Sequence, residues 1–311
     1  MTRTKRKRNK SEYIFCGILI IPFVLHFAFF WFYANLESIK LAFSQYDLVL
    51  KKQVLLSGSD LFKNFKNVIN DLVFGANGKY FLNGVYMHLM STFLCLPLSY
   101  MVAFMLYKRV PGAGGLKVIM YLPHILSGMF TVLVFVHLFE SGFGGFWQQV
   151  LHKQFPYVFT DPKYVWLMMS TYIIFYGIPG SLLINLGTMA RIPDDLVEYG
   201  ILEGISMWKE FCLIVLPMTF SVIEVQCLGL FVGFFTTQGP LFTFYGSNAP
   251  KEVATFGYWM YIKIATPDSE LAAQMMYGYT SAAQLLIGLA AIPIVQLTKK
   301  LFDFIDPQAE Y

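Results

Sequence analysis

Six long stretches of this sequence are almost free of charged residues, and this pattern restricts the fold more than any other feature. Five of them contain no Asp, Glu, Lys or Arg, and the sixth carries one acid, Glu224. A helix needs about 20 apolar residues to cross the hydrocarbon core of a bilayer. Within lipid the backbone must also satisfy its own hydrogen bonds. The pattern therefore predicts an all-α membrane protein with six transmembrane helices. The predicted spans are about 13–33, 81–107, 118–139, 164–190, 211–237 and 271–298.

The cysteines and histidines give no sign of a disulfide framework or a metal site. The four cysteines lie in or beside predicted spans without paired spacing, which is typical of small buried apolar residues. The histidines within the spans are scattered, and none has a carboxylate or cysteine at ligand spacing. We therefore predict no metal bound by this chain.

The basic residues of the N-terminal tail decide the predicted orientation. Six Lys and Arg residues fall within the first ten positions, just before the first span. Such a cluster could contact nucleic acid, but its position favours retention on the cytoplasmic side, so no nucleic-acid partner is predicted. With six spans both termini are then cytoplasmic. We expect cytoplasmic tails at 1–12 and 303–311, a transmembrane domain at 13–302, and outside loops at 34–80, 140–163 and 238–270.

The cytoplasmic segment between spans four and five is unusually charged for this chain. Pro193 suits the first position of a helix that runs to about Leu202. Gly204 permits a turn that other residues make only with strain, and Ser206 can cap a second helix leading into span five. We expect a helix–turn–helix elbow with an apolar part and an acidic rim.

Two interpretations of this elbow are possible. It could lie flat in the membrane interface, or it could fit a groove of a partner protein. Residues 191–210 hold five acids and two bases. An anionic cytoplasmic leaflet attracts basic segments and repels acidic ones, so the composition favours a protein partner.

The spacing of residues in the elbow resembles that of a known family. Glu198, Gly204, Ile214 and Leu216-Pro217 match the E-A-A-x3-G-x9-I-x-L-P loop of binding-protein-dependent ABC importer permeases. The likeness is to the carbohydrate-uptake, maltose-type branch, and it extends over almost the whole chain. The chain departs from the pattern in four places: Tyr199 and Gly200 replace two alanines, Glu203 replaces the usual Asp, and Ile205 replaces a small residue.

The resemblance implies that the elbow is a coupling helix seated in a cleft of a cytoplasmic ATPase subunit. The implied partners are a second homologous permease, two ABC ATPase subunits, an external substrate-binding protein and the lipid bilayer of a bacterial cell membrane. ATP and Mg²⁺ would be bound by the ATPase subunits, since this chain has no P-loop motif. We expect the chain to bind no cofactor itself and not to be an enzyme. The implied coupling residues are Pro193, Glu198, Tyr199, Gly200, Glu203, Gly204, Ile205, Trp208, Ile214, Leu216 and Pro217.

Candidate residues for a substrate pathway lie in spans four and five. Glu224 is an ionisable residue within a span, so it could line a path or form a structural hydrogen bond to a partner. Aromatic side chains offer flat faces to sugars, although an aromatic stripe in a bundle is more often packing. By similarity to maltose-type permeases, the sugar site falls near Tyr176, Gly177, Phe234 and Thr237. The complete candidate set is Tyr172, Tyr176, Gly177, Glu224, Phe234, Thr237 and Gln238.

Two functions follow from these observations. The first is a membrane subunit of an ATP-driven importer for an oligosaccharide or related carbohydrate. The second is a stand-alone secondary transporter or channel that uses Glu224 as a proton or ion site. ATP-independent, pH-dependent uptake by the chain alone would distinguish the second from the first.

Overall fold

The computed structural model of the chain describes residues 10–75, 77–233 and 239–305. Most of these residues are helical. They fall into two compact units. Unit 1 consists of the described residues up to Ile69 together with Asp268–Leu286. Unit 2 consists of the described residues within Asn70–Pro267 and from Ile287 onward.

Five helical segments are long and apolar enough to cross a bilayer, and a bent pair of helices raises the number to as many as six. The bent pair is Met207–Met218 with Phe220–Phe231, whose axes differ by 71°. The prediction of a helical, multi-pass membrane protein is confirmed at this level. The five continuous candidates are Ile14–Ala42, Asn77–Tyr107, Gly128–Leu151, Val165–Met189 and Glu270–Ile305.

Sixteen α-helices and two strands form the described part of the chain, and π-helical turns join several of the helices. The π-helical segments are Phe27–Phe32, Ser91–Cys95, Leu138–Phe143 and Phe211–Val215. The strands are β1 (Ser44–Asp47) and β2 (Lys52–Leu55), followed by a 3-10 turn at Gly58–Asp60. The helices are α1 (Lys10–His26), α2 (Tyr33–Ala42), α3 (Lys63–Val73), α4 (Asn77–Met90), α5 (Leu96–Tyr107), α6 (Ala113–Ile125), α7 (Gly128–His137), α8 (Gly144–Leu151), α9 (Val165–Met189), α10 (Asp194–Leu202), α11 (Met207–Glu210), α12 (Leu216–Met218), α13 (Phe220–Gly233), α14 (Leu241–Tyr245), α15 (Phe256–Ala265) and α16 (Glu270–Ile305).

Unit 1 contains a β-hairpin that the sequence analysis did not predict. Strands β1 and β2 pair antiparallel, with Ser44 opposite Leu55. The buried Asn64 side chain donates from Nδ2 to the carbonyl oxygens of Ala42 and Ser44, at 2.9 and 2.8 Å. Asn64 thereby ties α3 to the start of the hairpin.

The core of unit 2 lies between α5, α9 and the segment that carries the elbow. Fully or nearly fully buried side chains from all three elements meet there, and the largest cluster includes Tyr100, Leu182, Met189, Phe211 and Val215. Helices α5 and α9 are apolar on every side, which is expected of helices that pack in a bundle and also face lipid. The packing brings the elbow against the end of α5.

The predicted span 118–139 is divided in the structure. Helix α6 ends at Ile125, shortly after Pro123, and Leu126 is extended. Ser127 is also extended, and its Oγ accepts a hydrogen bond from the backbone N–H of Phe130 at 3.3 Å, which caps α7. The bilayer-length helix therefore begins at Gly128 and continues to Leu151, into residues expected to form an outside loop. The overlooked signal was the Ser-Gly pair, which is typical of a helix start.

Candidate functional site

The elbow between the fourth and fifth candidate spans has the helix–turn–helix form expected from the sequence. Helix α10 begins after Pro193, which is the N-cap and not the first helical residue as predicted. The helix ends in a Schellman motif, in which Ile205 N–H bonds to Gly200 O and Gly204 N–H to Ile201 O, at 3.1 and 3.0 Å. Gly204 has φ +67°, the left-handed conformation predicted for this turn.

The second arm of the elbow begins with the predicted cap. Ser206 Oγ accepts a hydrogen bond from Lys209 N–H at 3.4 Å. Helix α11 then passes through the π-helical segment into α12, where Pro217 occupies the first turn. The chain bends after Met218, at Thr219, before α13 begins.

Gly200 lies where the two arms of the elbow press together. A Cβ atom at this position would come within 2.8 Å of Ile205 Cδ1 and 3.1 Å of Ile214 Cδ1. The Ile205 side chain, which is larger than the small residue of the E-A-A pattern, thus fills the space above Gly200. Two departures from the pattern therefore compensate each other, because a larger residue at 205 is matched by a glycine at 200.

The outward side of the elbow exposes both large apolar side chains and acidic ones. Tyr199, Leu202 and Trp208 are 69%, 84% and 61% exposed. Glu198 and Glu203 are exposed beside them. A Cβ atom at Gly204 would meet nothing within 4 Å, so the space above the turn is open. This surface, which we call the elbow face, can accept a protein groove that approaches the backbone at Gly204.

One of the five acids expected on the rim is not there. Glu210 is buried, with a side chain 6% exposed, and its Oε1 accepts a hydrogen bond from Lys108 Nζ at 2.9 Å. Lys108 directly follows α5. Glu210 was expected on the rim because only the charges along the loop were considered. Its partner Lys108 lies 102 residues away in the chain, so the loop sequence by itself does not reveal the ion pair. The rim prediction is wrong for Glu210, whereas the other four acids are exposed.

A cavity of about 660 Å³ opens within unit 2. The structure brings three of the predicted pathway residues together on its wall: Tyr172, Tyr176 and Gly177. Its other lining residues come from α4 and the π-helical turn after it, from α7, α9 and α13, and from the segment after residue 238. They are Gly84, Met87, His88, Ser91, Gly128, Val132, Ile173, Gly229, Leu230, Gly233, Gly239, Pro240, Thr243 and Thr255.

Two stacked tyrosines form the aromatic side of this cavity. The rings of Tyr172 and Tyr176 are nearly parallel, with centroids 5.8 Å apart and an interplanar angle of 6°. The ring of His124 stacks on the Tyr176 ring at 4.3 Å. Gly177 permits close packing, because a Cβ there would lie 3.1 Å from Cys95 Sγ. The cavity therefore has a rigid aromatic platform beside a tightly packed helix pair.

The remaining pathway candidates are placed elsewhere or lie outside the described residues. Phe234, Thr237 and Gln238 lie outside the described residues. Glu224 is half-buried on α13 and is not among the residues that line the cavity in the described part of the chain. Among residues 10–75, 77–233 and 239–305, which the structure describes, none joins a cluster of three or more potential metal ligands.

A polar network beneath the cavity was not predicted. Asn185, which is fully buried, donates from Nδ2 to Ser99 Oγ at 3.1 Å. Gln226 Nε2 donates to Asn185 Oδ1 at 2.6 Å, and Ser181 Oγ donates to Ser99 Oγ at 2.8 Å. The network joins α5, α9 and α13. Isolated Ser, Asn and Gln residues within apolar spans were the available signal.

Several curated relatives match this chain. The galactooligosaccharides transport system permease protein GanP of Bacillus subtilis (strain 168) is 26% identical over 188 residues, covering 57% of this chain and 43% of the relative. The maltodextrin transport system permease protein MalC of Streptococcus pneumoniae is 25% identical over 307 residues, covering 92% of this chain and 69% of the relative. The chain is homologous to sugar ABC transporter permeases. No family model matches it.

This permease homologue also matches part of a longer relative and the fold of two solved structures. The maltose/maltodextrin transport system permease protein MalF of Escherichia coli (strain K12) is 26% identical over 134 residues, and the match spans 26% of that relative. A chain of the bacterial alginate ABC transporter, crystallised with an alginate pentasaccharide-bound periplasmic protein, matches with a TM-score of 0.76 at 16% identity over 96% of each chain. A second alginate transporter structure gives a TM-score of 0.74 at 16% identity, over 95% of this chain and 97% of that chain. The permease homologue therefore shares its fold with the matched chain of the alginate transporter.

Proposed function

We propose that this chain is one of two membrane permease subunits of an ATP-driven carbohydrate importer in a bacterial cytoplasmic membrane. The observation that carries the proposal is the elbow. Its Glu198, Gly204 and Pro217 keep the spacing of the importer loop, and the structure gives it a packed inner side and an open outer face. Sequence similarity to a maltodextrin permease over 92% of the chain supports the same assignment.

In this proposal the elbow face docks into a cleft of a cytoplasmic ATPase subunit. Burying each large apolar side chain of the face is worth roughly 1.5–3 kcal/mol, and Tyr199, Leu202 and Trp208 are all available. The exposed Glu198 would meet a basic group at the edge of the cleft. Gly204 would allow the closest approach, since it offers no side chain and lies in open space. A second permease would present its own elbow to a second ATPase subunit.

The orientation of the chain follows from the basic N-terminal tail. If that tail is cytoplasmic and six spans are crossed, the elbow and both termini lie on the cytoplasmic side, where ATP is available. The cavity wall would then be reached from outside by substrate released from an external binding protein. A homologous second permease would complete the path.

The cavity suits an uncharged oligosaccharide. Its described lining includes no Asp, Glu, Lys or Arg, and residues 234–238, which lie outside the described part, are also uncharged in sequence. Tyr176 offers an aromatic ring for sugar C–H surfaces, and Ser91 and Thr243 offer hydroxyl groups. An acidic sugar would find no Lys or Arg among these residues to neutralise its charge.

The proposal is tested on the chain co-expressed with the products of its neighbouring genes and reconstituted in liposomes. ATP-driven uptake of maltopentaose is expected in the wild-type complex. Gly204→Trp and Glu198→Arg should both abolish ATP hydrolysis that is stimulated by the binding protein. Unchanged hydrolysis in both variants would refute the coupling role of the elbow.

A matched control exists for the glycine variant. Gly58 has φ +61°, and a Cβ there would also meet nothing within 4 Å. Gly58 lies between the first two candidate spans, away from the proposed ATPase side. Gly58→Trp should therefore impose similar backbone strain without loss of coupling.

Glu224 gives one reason to keep a second candidate function. It is half-buried within α13, and among the described residues it has neither an ion pair nor a hydrogen bond. An unpaired acid within a span is a candidate proton or ion site. A stand-alone transporter would show pH-dependent uptake by the purified chain without ATP, and Glu224→Gln would abolish that uptake. Uptake that requires ATP and partner subunits would exclude this alternative.

A further inference from the structure

The end of the second candidate span is attached to the elbow by a buried ion pair. Lys108 Nζ lies 2.9 Å from Glu210 Oε1, and the two side chains are 24% and 6% exposed. Lys108 is the C-cap of α5 and Glu210 is the last residue of α11. Removing one partner of such a pair strands a charge in a site of low polarity, so the two groups strongly resist separation.

An aromatic contact lies next to the ion pair and makes it a two-point attachment. The rings of Phe104 and Phe211 have centroids 5.0 Å apart. Phe104 and Lys108 are four residues apart, so they share one face at the end of α5, and Glu210 and Phe211 are consecutive in the elbow. An attachment at two adjacent points restricts rotation as well as separation.

The helical segment that ends at Lys108 also forms one wall of the cavity. Gly84, Met87, His88 and Ser91 line the cavity and belong to the continuous segment Asn77–Tyr107. From Ser91 to Lys108 the distance along the helix is roughly 25 Å at 1.5 Å per residue. The middle of this segment therefore lies at the cavity, and its C-terminal end is fixed to the elbow.

We propose that Lys108 and Glu210 are positioning residues that pass movement of the elbow to the cavity wall through the segment Asn77–Tyr107. This inference rests on the proposed function, because it assumes that ATPase subunits move the elbow. When the elbow shifts, the ion pair obliges the end of α5 to follow, and Ser91 at the cavity moves with it. Loss of the pair would leave ATPase docking intact, since neither residue belongs to the elbow face.

The test measures whether nucleotide binding changes access to the cavity. Ser91→Cys is introduced into the complete complex in liposomes, and its labelling by a water-soluble maleimide is timed with and without ATP and vanadate. Labelling of the parent chain is subtracted, since four native cysteines are present. With the ion pair intact, ATP and vanadate should change the labelling rate severalfold. In Lys108→Met and in Glu210→Gln this change should be lost while ATP hydrolysis continues.

Two controls separate this role from a general effect on folding. Lys108→Arg keeps the charge and should retain the nucleotide-dependent change. Glu37→Gln breaks the exposed Lys40–Glu37 ion pair and should also leave the change intact. Persistence of the full nucleotide-dependent change in Lys108→Met or Glu210→Gln would overturn the proposal. Failure of both of these variants to assemble, with Lys108→Arg assembling normally, would also overturn it, since the pair would then serve folding alone. Absence of any ATP effect in the complex with the ion pair intact would instead count against the proposed importer function, and this inference would fall with it.

Discussion

The contact between Gly200 and Ile205 permits a prediction with a magnitude. Gly200→Val places a Cβ 2.8 Å from Ile205 Cδ1 and 3.1 Å from Ile214 Cδ1, and adds two methyl groups beyond it. Overpacking of this kind costs about 1–3 kcal/mol. Glycine is only about 0.4 kcal/mol less favourable than valine within a helix, so helix propensity offsets little. We expect the free energy of unfolding to fall by about 0.6–2.6 kcal/mol.

A second substitution tests whether the clash is the cause. Ile205→Ala removes Cδ1 and Cγ1, the atoms 2.8 and 3.2 Å from the added Cβ. The doubly substituted chain should therefore be less destabilised than the sum of the single variants, with an interaction energy of about 1 kcal/mol or more. Thermal unfolding of the detergent-solubilised chain provides the measurement.

The matched control is Gly187→Val. Gly187 is also helical, on α9, but a Cβ there would meet nothing within 4 Å. It should change stability by a few tenths of a kcal/mol. If Gly200→Val is no more harmful than Gly187→Val, or if its cost is the same with and without the Ile205 side chain, the packing explanation for the glycine at 200 is wrong.

Three further predictions concern the elbow cap, the polar network and the cavity. Ser206→Ala should destabilise the start of α11 by about 1 kcal/mol because it removes the cap on Lys209 N–H. Hydrogen exchange at the Lys209 amide should therefore accelerate. Ser206→Asp can still cap the helix and should leave this exchange near the wild-type rate. Gln226→Leu should lower the unfolding free energy by about 1 kcal/mol, since Asn185 Oδ1 loses its donor at 2.6 Å; an unchanged thermal midpoint would show that the network adds no stability. Tyr176→Ala should raise the maltopentaose concentration needed for half-maximal uptake at least about tenfold if the ring stacks on sugar, and Tyr176→Phe, which keeps the ring, should change it far less.

Local sequence patterns were sufficient to predict the membrane-spanning class and the form of the elbow. Charge-free stretches of bilayer length have few structural alternatives, since lipid leaves the backbone no partner outside its own helix. Gly204 and Ser206 act within a few residues of themselves, through a left-handed turn and a helix cap. For that reason their roles were visible in the sequence. Ser127 was also a local signal for the start of a helix. Because it stands within a long apolar stretch, that stretch was interpreted as one continuous span.

Interactions between residues far apart in the chain were decided only by the tertiary structure. The charge of Glu210 is visible in the sequence, but its burial depends on Lys108, which lies 102 residues away. The cavity likewise needs α4, α9 and α13 to meet, and its volume depends on side chains from each. An apolar helix does not specify in its own sequence which face meets which neighbour, because every face is compatible with lipid. Hydrophobicity therefore determined that these helices cross the membrane, and packing determined which residues they bring together.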